Sequence, residues 1–272
     1  MGNLSEPCAD GRAAAFDKAA VRRDFGRAAD RYEHHAALQR RVAARVAELF
    51  AERAGAPSEV LDLGSGTGLV GRALRTRGAL PSRLLALDLA HPMTRAGRLP
   101  GHPACTADAE ALPLAAGSQD AVVSSLTLQW ANRLPAALGE AARCLRPGGL
   151  LVASTLAEGT LAELDAALRA VDGRGGAGPF LPRAAMTAAL AAAGLRQRAC
   201  WVEEEVLEAD APRAVLRDLK GLGAVDKAPG RARGLRGRDR LARLEAAYRR
   251  TCGAHHGPVP VTWRVAYLVA WR

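Results

Sequence analysis

Val60-Leu61-Asp62-Leu63-Gly64-Ser65-Gly66-Thr67-Gly68 joins a short apolar run to three alternate glycines, and this stretch decides the fold. Val60 to Leu63 has the length and composition of a buried parallel strand. The glycines let backbone pass close to a ligand, and the helical pattern from Leu69 to Arg77 sets a helix N-terminus with free N–H groups beside them. Asp62, Gly64, Ser65, Gly66 and Gly68 are therefore candidate cofactor contacts, Asp62 as a partner for an ammonium group. Gly66-Thr67-Gly68-Leu69-Val70-Gly71 also satisfies G-x-G-x-x-G, so a nicotinamide dinucleotide is an alternative at this point.

Outward from this loop, strands fit Arg83–Leu89, His102–Ala107, Asp120–Leu126 and Leu150–Thr155, with a helix over Leu134–Leu145 that stops at Arg146-Pro147-Gly148-Gly149. This alternation predicts an α/β fold with a Rossmann-like, doubly wound, largely parallel sheet. Two helices precede it within Phe16–Arg53, where Leu38, Val42, Val46, Leu49 and Phe50 recur at helical spacing. After it come a helix at Arg183–Ala193, a strand at Leu195–Leu207 and basic helices at Arg213–Leu222 and Asp239–Arg250. The last strand, Val261–Arg272, alternates strictly: Val261, Trp263, Val265, Tyr267, Val269 and Trp271 share one face.

Open α/β sheets bind ligands beyond the carboxyl ends of their strands, so functional groups are expected just after each one. The second strand ends in Asp88-Leu89, where a carboxylate can accept both hydroxyl protons of a ribose. The third ends at Asp108-Ala109, where Asp108 can accept from an adenine amino group and the Ala109 N–H can donate to the ring. After the fourth, Ser124 opens the run Ser-Ser-Leu-Thr-Leu-Gln-Trp, whose Gln129 and Trp130 are expected to line the place where donor meets acceptor. Asp62 ahead of the glycines, together with the Asp108 loop, favours S-adenosylmethionine over a nicotinamide cofactor. The run lacks the Asn/Asp-Pro-Pro-aromatic box that holds a planar amino group, which argues against base methylation.

Other chemistries find little support. The five cysteines lie far apart and the histidine pairs His34-His35 and His255-His256 are adjacent in sequence, so no metal site is expected. The formal net charge of +10 suits a polyanionic partner or a solubilising surface, without choosing between them. No RNA-binding module is visible, no run of about 18 apolar residues occurs, and Met1–Ala15 has no signal-peptide pattern. The expectation is a cytoplasmic protein with a loose tail over residues 1–15 and a mobile Gly/Arg loop over Pro229–Arg238.

The order of these motifs resembles the class I S-adenosylmethionine methyltransferases. A narrower likeness covers nearly the whole chain. Phe25 to Tyr32 (F-x-x-A-A-x-x-Y), Ala107–Leu114 (ADAEALPL), Leu128-Gln129-Trp130, Ser154–Leu164 (STLAEGTLAEL), Asp218–Ala224 (DLKGLGA) and the terminal VTWRVAYLVAWR together resemble the malonyl-acyl-carrier-protein O-methyltransferase family of biotin synthesis. The resemblance implies a seven-stranded sheet whose last strand is antiparallel and a helical insertion before that strand. It implies one methyltransferase domain over residues 16–272, with an N-terminal helical cap (16–55), a cofactor core (58–156) and an acceptor side (157–272).

It further implies S-adenosylmethionine as cofactor and the free carboxylate of a malonyl thioester, on acyl carrier protein or on coenzyme A, as acceptor. Alternatives are a small carboxylate of the trans-aconitate type and RNA. A carboxylate is already nucleophilic at neutral pH, so alignment and dry surroundings suffice without a general base. Tyr32, Thr155 and Thr160 are the candidate positioning groups on the acceptor side, with an arginine not identified. The basic stretch Lys227–Arg250 is the expected docking surface for the acidic carrier. The chain departs from the family pattern at Gly175–Pro179, before Phe180, where a polar stretch is expected.

Overall fold

The computed structural model describes residues 16–173, 175–176, 178–223 and 238–272. The expected tail at 1–15, residues 229–237 of the Gly/Arg loop and part of the Gly175–Pro179 segment lie outside the described residues.

Seven strands form one sheet in the order β3-β2-β1-β4-β5-β7-β6. β1 (Glu59–Leu63), β2 (Arg83–Asp88), β3 (Ala104–Thr106), β4 (Gln119–Ser124) and β5 (Leu145–Leu156) run parallel. β7 (Val259–Trp271) inserts antiparallel between β5 and β6 (Arg196–Ala209). From β1 the chain moves outward through β2 to β3, then returns to place β4 on the other side of β1. That reversal opens a crevice above β1 and β4, the usual place for a ligand in such a sheet.

Helices cover both faces. On one lie α2 (Ala37–Ala51), α3 (Leu69–Thr76), α6 (Ala162–Asp172), α8 (Pro212–Gly221) and α9 (Arg238–Cys252), packed on Val60, Val123, Val152, Val265, Tyr267 and Val269. On the other, α5 (Leu134–Cys144) and α7 (Arg183–Ala192) cover Leu61, Leu63, Val122, Leu151, Ala266 and Leu268. The alternation read in the last strand thus divides between two cores, which is why β7 is apolar on both faces over its second half.

Three local features are not in the sequence expectation. A helix, α4 (His91–Gly97), follows β2 in a segment to which the sequence reading assigns no element, with Pro92 near its start and Gly97 at its end. It forms because Pro92 lies in the first turn, where no N–H bond is lost, and because Met93 is buried against Ala28, Ala29 and Ala90. Leu145 to Gly149 belongs to β5 rather than to a loop: Leu145 pairs with Gln119 before the register shifts to Leu150 opposite Ala121. Leu128–Trp130, between β4 and α5, forms a 3-10 turn.

Candidate active site

A cleft of about 750 Å³ lies above the carboxyl ends of β1, β2 and β4, under α1 (Lys18–Ala28). Its floor is the glycine loop, and the three glycines there have different duties. A Cβ at Gly64 would lie 2.0 Å from Thr127 Oγ1, and one at Gly68 would lie 2.5 Å from the Gly97 carbonyl oxygen, so these two permit close packing of the loop. A Cβ at Gly66 would meet nothing within 4 Å, because this glycine faces the cleft.

Asp88 organises the wall. Its Oδ2 accepts from the Gly66 N–H at 3.0 Å and its Oδ1 from the Ala90 N–H at 2.8 Å. Burial raises its pKa, against the opposing pull of backbone N–H groups at Ala90, Gly66 and Leu89. Asp62 lies beneath the loop at 1% exposure, with Oδ1 buried and unpaired. Burial first, then the charge of Asp88, push its carboxyl up to about 7. Ser65 Oγ and Thr67 Oγ1 are likewise buried without a partner.

The far wall and roof come from the N-terminal segment. Lys18 Nζ reaches Asp108 Oδ1 at 2.9 Å and Glu110 Oε2 at 2.7 Å. Phe16 is pinned at its backbone by Asn132, with N to Oδ1 at 2.5 Å and Nδ2 to the Phe16 carbonyl at 3.2 Å. Trp130 contacts both ends of the segment, with ring centroids 5.4 Å from Phe16 and 5.3 Å from Phe25. Tyr32 follows α1 in a 3-10 turn, and burial and the Asp88 charge hold its phenol far above the usual range. It is a neutral hydroxyl at any physiological pH.

α8 buttresses this roof. Asp218 Oδ1 meets His35 Nδ1 at 2.9 Å, and a Cβ on Gly223 would lie 2.9 Å from the Asp24 carbonyl oxygen. The Asp218–Gly223 part of DLKGLGA is therefore a contact surface for the N-terminal segment.

Of the residues expected at the site, Tyr32, Gly64, Gly66, Asp88, Leu89, Asp108, Ala109 and Trp130 line the cleft. The others stand behind it. Ser124 Oγ donates to the Leu63 carbonyl at 2.8 Å, tying β4 to β1. Thr155 Oγ1 donates to Gln129 Oε1 at 3.2 Å, and Gln129 Nε2 to the Leu126 carbonyl at 2.7 Å. Thr160 is corrected more fully. Its hydroxyl donates to the Arg264 carbonyl and accepts from the Arg264 N–H, both at 3.1 Å, so it binds backbone of β7 instead of facing the acceptor.

The expected docking stretch is described only from residue 238 onward. Residues 227–237 lie outside the described residues, and Arg240 is paired with Asp172 while Arg249 donates to the carbonyls of Ala254 and Gly257. Arg243 and Arg250 remain exposed on α9.

Sequence reading missed the lining residues Lys18, Arg22, Phe25, Met93 and Ser125. Lys18 and Arg22 are one helical turn apart, and that spacing was the available signal for a shared face.

The fold and this cleft define a class I methyltransferase. A methyltransferase-domain family model matches residues 61–153. The fold is similar to that of the YcgJ protein of Bacillus subtilis (TM-score 0.58, 14% identity, covering 84% of this chain and 98% of that one) and of a SAM-dependent methyltransferase from Thermotoga maritima (TM-score 0.52, 16% identity, 92% and 99%). Sequence relatives narrow the class. Malonyl-[acyl-carrier protein] O-methyltransferases from Laribacter hongkongensis and Methylovorus are 44% and 40% identical, over 94% of this chain and 90% of each relative. The chain belongs to the malonyl-[acyl-carrier protein] O-methyltransferase family.

Proposed function

We propose that the cleft binds S-adenosylmethionine and that the protein methylates the free carboxylate of a malonyl thioester on acyl carrier protein, a step of biotin precursor synthesis. The observation that carries this reading is Gly66: a glycine facing open space beside Asp88, in a chain 44% identical to a malonyl-[acyl-carrier protein] O-methyltransferase.

The residues fit such a donor. Each oxygen of Asp88 accepts from the backbone, Oδ2 from Gly66 and Oδ1 from Ala90, and the carboxylate can accept further from the hydroxyls of a ribose. Asp108 Oδ1 accepts from Lys18 and from the Glu110 N–H, so a base amino group is met by its other oxygen. The orphaned Oδ1 of Asp62 and its pairing with Asp88 suit a cation above the loop, since burial of two neighbouring carboxylates is relieved by positive charge. The bound donor supplies an electrophilic methyl group on a sulfonium.

This chain then has to hold an ionised carboxylate in line with that methyl and keep water away. Among the described residues Arg22 is a cleft-lining cation with no ion pair, whereas Lys18 is committed to Asp108 and Glu110. We assign Arg22 to the acceptor carboxylate, with the neutral Tyr32 hydroxyl as a second donor. Trp130, Phe25 and Leu126 supply apolar surface that excludes water. No proton moves, which agrees with a site whose raised acids sit under the donor loop rather than at the acceptor end.

Mass spectrometry after incubation with S-adenosylmethionine and malonyl carrier protein should show one added methyl, and none with an acyl carrier lacking the free carboxyl. Equal labelling of both substrates, or of neither, would refute the reading.

A further inference from the structure

Four consecutive residues after β5 converge on one arginine of β7. The Ala157 N–H donates to the Arg264 carbonyl at 2.8 Å, the Glu158 carbonyl accepts from Arg264 Nη1 at 3.2 Å, and Thr160 holds both backbone groups of Arg264. Gly159 sits at φ +90°, a conformation that favours glycine, and a Cβ there would lie 2.9 Å from Arg264 Cδ and displace that side chain. The Ala-Glu-Gly-Thr part of the STLAEGTLAEL motif is thus a cradle that aims a guanidinium.

Arg264 is exposed, and it borders an open groove of about 730 Å³ with Arg183, at the start of α7, on the other side. Trp201 and Val202 of β6 line the groove, and Glu158 is the acid on its wall. Glu204 stands opposite Arg264 in the β6–β7 ladder, but the guanidinium makes its hydrogen bond to the Glu158 carbonyl. Two arginines against one wall carboxylate make a site for an anion, and guanidinium forks match phosphate oxygens.

The groove opens on the same edge of the sheet as the cleft. β5 ends beside β4, and Leu156 pairs with Val265, which sets Arg264 at the carboxyl edge. From the end of β4 to Arg264 is two strand spacings across and four residues along, since Ser124 pairs with Ala153 and Leu156 with Val265, so the backbones are about 16 Å apart and the arginine side chain spans part of that distance. Gln129 and Thr155, hydrogen-bonded to each other behind the cleft, lie in that interval. A pantetheine arm has about the backbone length of a four-residue peptide, roughly 14 Å when extended. Its thioester end can therefore occupy the cleft while its phosphate reaches the two arginines.

We propose that Arg183 and Arg264 form a phosphate subsite for the phosphopantetheine arm of the acceptor. This rests on the malonyl-thioester reading above. The phosphate can come from the phosphodiester of a carrier-linked arm or from the diphosphate of coenzyme A, and the two sources are separable. Steady-state kinetics with malonyl carrier protein, malonyl-coenzyme A and malonyl-pantetheine, which lacks phosphate, test it with Arg264→Gln, Arg183→Gln and Arg264→Lys.

Each Gln variant should raise KM about tenfold for the carrier substrate, and for the coenzyme A substrate as well if that diphosphate also reaches the groove. It should leave kcat and all malonyl-pantetheine turnover unchanged, and Arg264→Lys should recover part of the loss. A further measurement with the unloaded carriers distinguishes arm from protein: phosphopantetheinylated carrier should inhibit the wild type better than carrier lacking the arm, and Arg264→Gln should abolish that difference. No change in KM for the carrier substrate, an equal rise for malonyl-pantetheine, or an unchanged difference between the two carriers would overturn the subsite. A wild-type enzyme that methylates none of the three thioesters would sink the malonyl reading, and the subsite with it.

Discussion

The donor side and the roof of the cleft are built in opposite ways. On the donor side, Gly66, Asp88 and Asp108 each follow a strand, and parallel register alone brings β1, β2 and β3 into line. In the roof, contacts join residues far apart in the chain: Lys18 to Asp108, 90 positions on, and Phe16 to Asn132, 116 positions on. The first region depends on backbone conformation and the second on side-chain packing. Damage to the first should weaken binding most, whereas damage to the second should weaken it less and loosen the roof.

The sharpest break is Gly66→Ala. One methyl group pointing into the cleft should lower donor affinity in calorimetry by roughly tenfold to hundredfold, while a non-glycine residue at φ +52° costs the fold only about 1–2 kcal/mol. Retained affinity would mean the donor does not pass over this glycine. Asp88→Ala should cost about 1–3 kcal/mol of donor binding through lost charge-assisted hydrogen bonds. Because Asp88 also accepts from the Gly66 and Ala90 N–H groups, exchange protection of those two amides should fall in the same variant.

Trp130→Ala tests the roof. Each aromatic pair contributes about 0.5–1.5 kcal/mol beyond the area it buries, so removing both pairs should speed amide exchange in α1 and weaken donor binding about tenfold, with the exchange of β4 and β5 unaltered. Equal destabilisation of the strands would show that the segment is part of the core and not a separable roof.

The smallest effect is a proton count. In the folded, ligand-free protein Asp62 titrates at about 7, above the ordinary carboxylate value near 4. The fold therefore holds this proton more tightly than the unfolded chain does, so the group weakens the fold progressively as pH rises from about 4 to 7 and by a constant amount above that. Binding of a cation should restore ionisation and release roughly half a proton at pH 7, read as buffer-dependent calorimetric heat. Asp62→Asn should abolish the release and reduce the pH slope of urea stability in that window, leaving the part that the raised Asp88 carboxyl contributes.

Legibility followed the same division. That the glycine loop and two distal carboxylates would share one cleft was readable because their spacing reflects strand ends in one repeating architecture. Thr160 was misread: its position in a family-specific motif suggested substrate, and its actual partner is backbone 104 residues away. Arg22 carried no distinguishing mark beyond its one-turn offset from Lys18, in a chain with 38 lysines and arginines. Arg240 looked free in the sequence because Asp172, which neutralises it, lies 68 residues earlier.

The sequence by itself determined a largely parallel, doubly wound sheet, the glycine loop after its first strand and the type of group after each strand end. These rest on local backbone conformation and on hydrophobic period, both of which short stretches of chain express. Only the tertiary structure decided which cations are spent in ion pairs, which polar groups face the cleft and which arginine is held in a cradle. A side chain's availability depends on what lies across space from it, and here those partners come from distant turns of the chain.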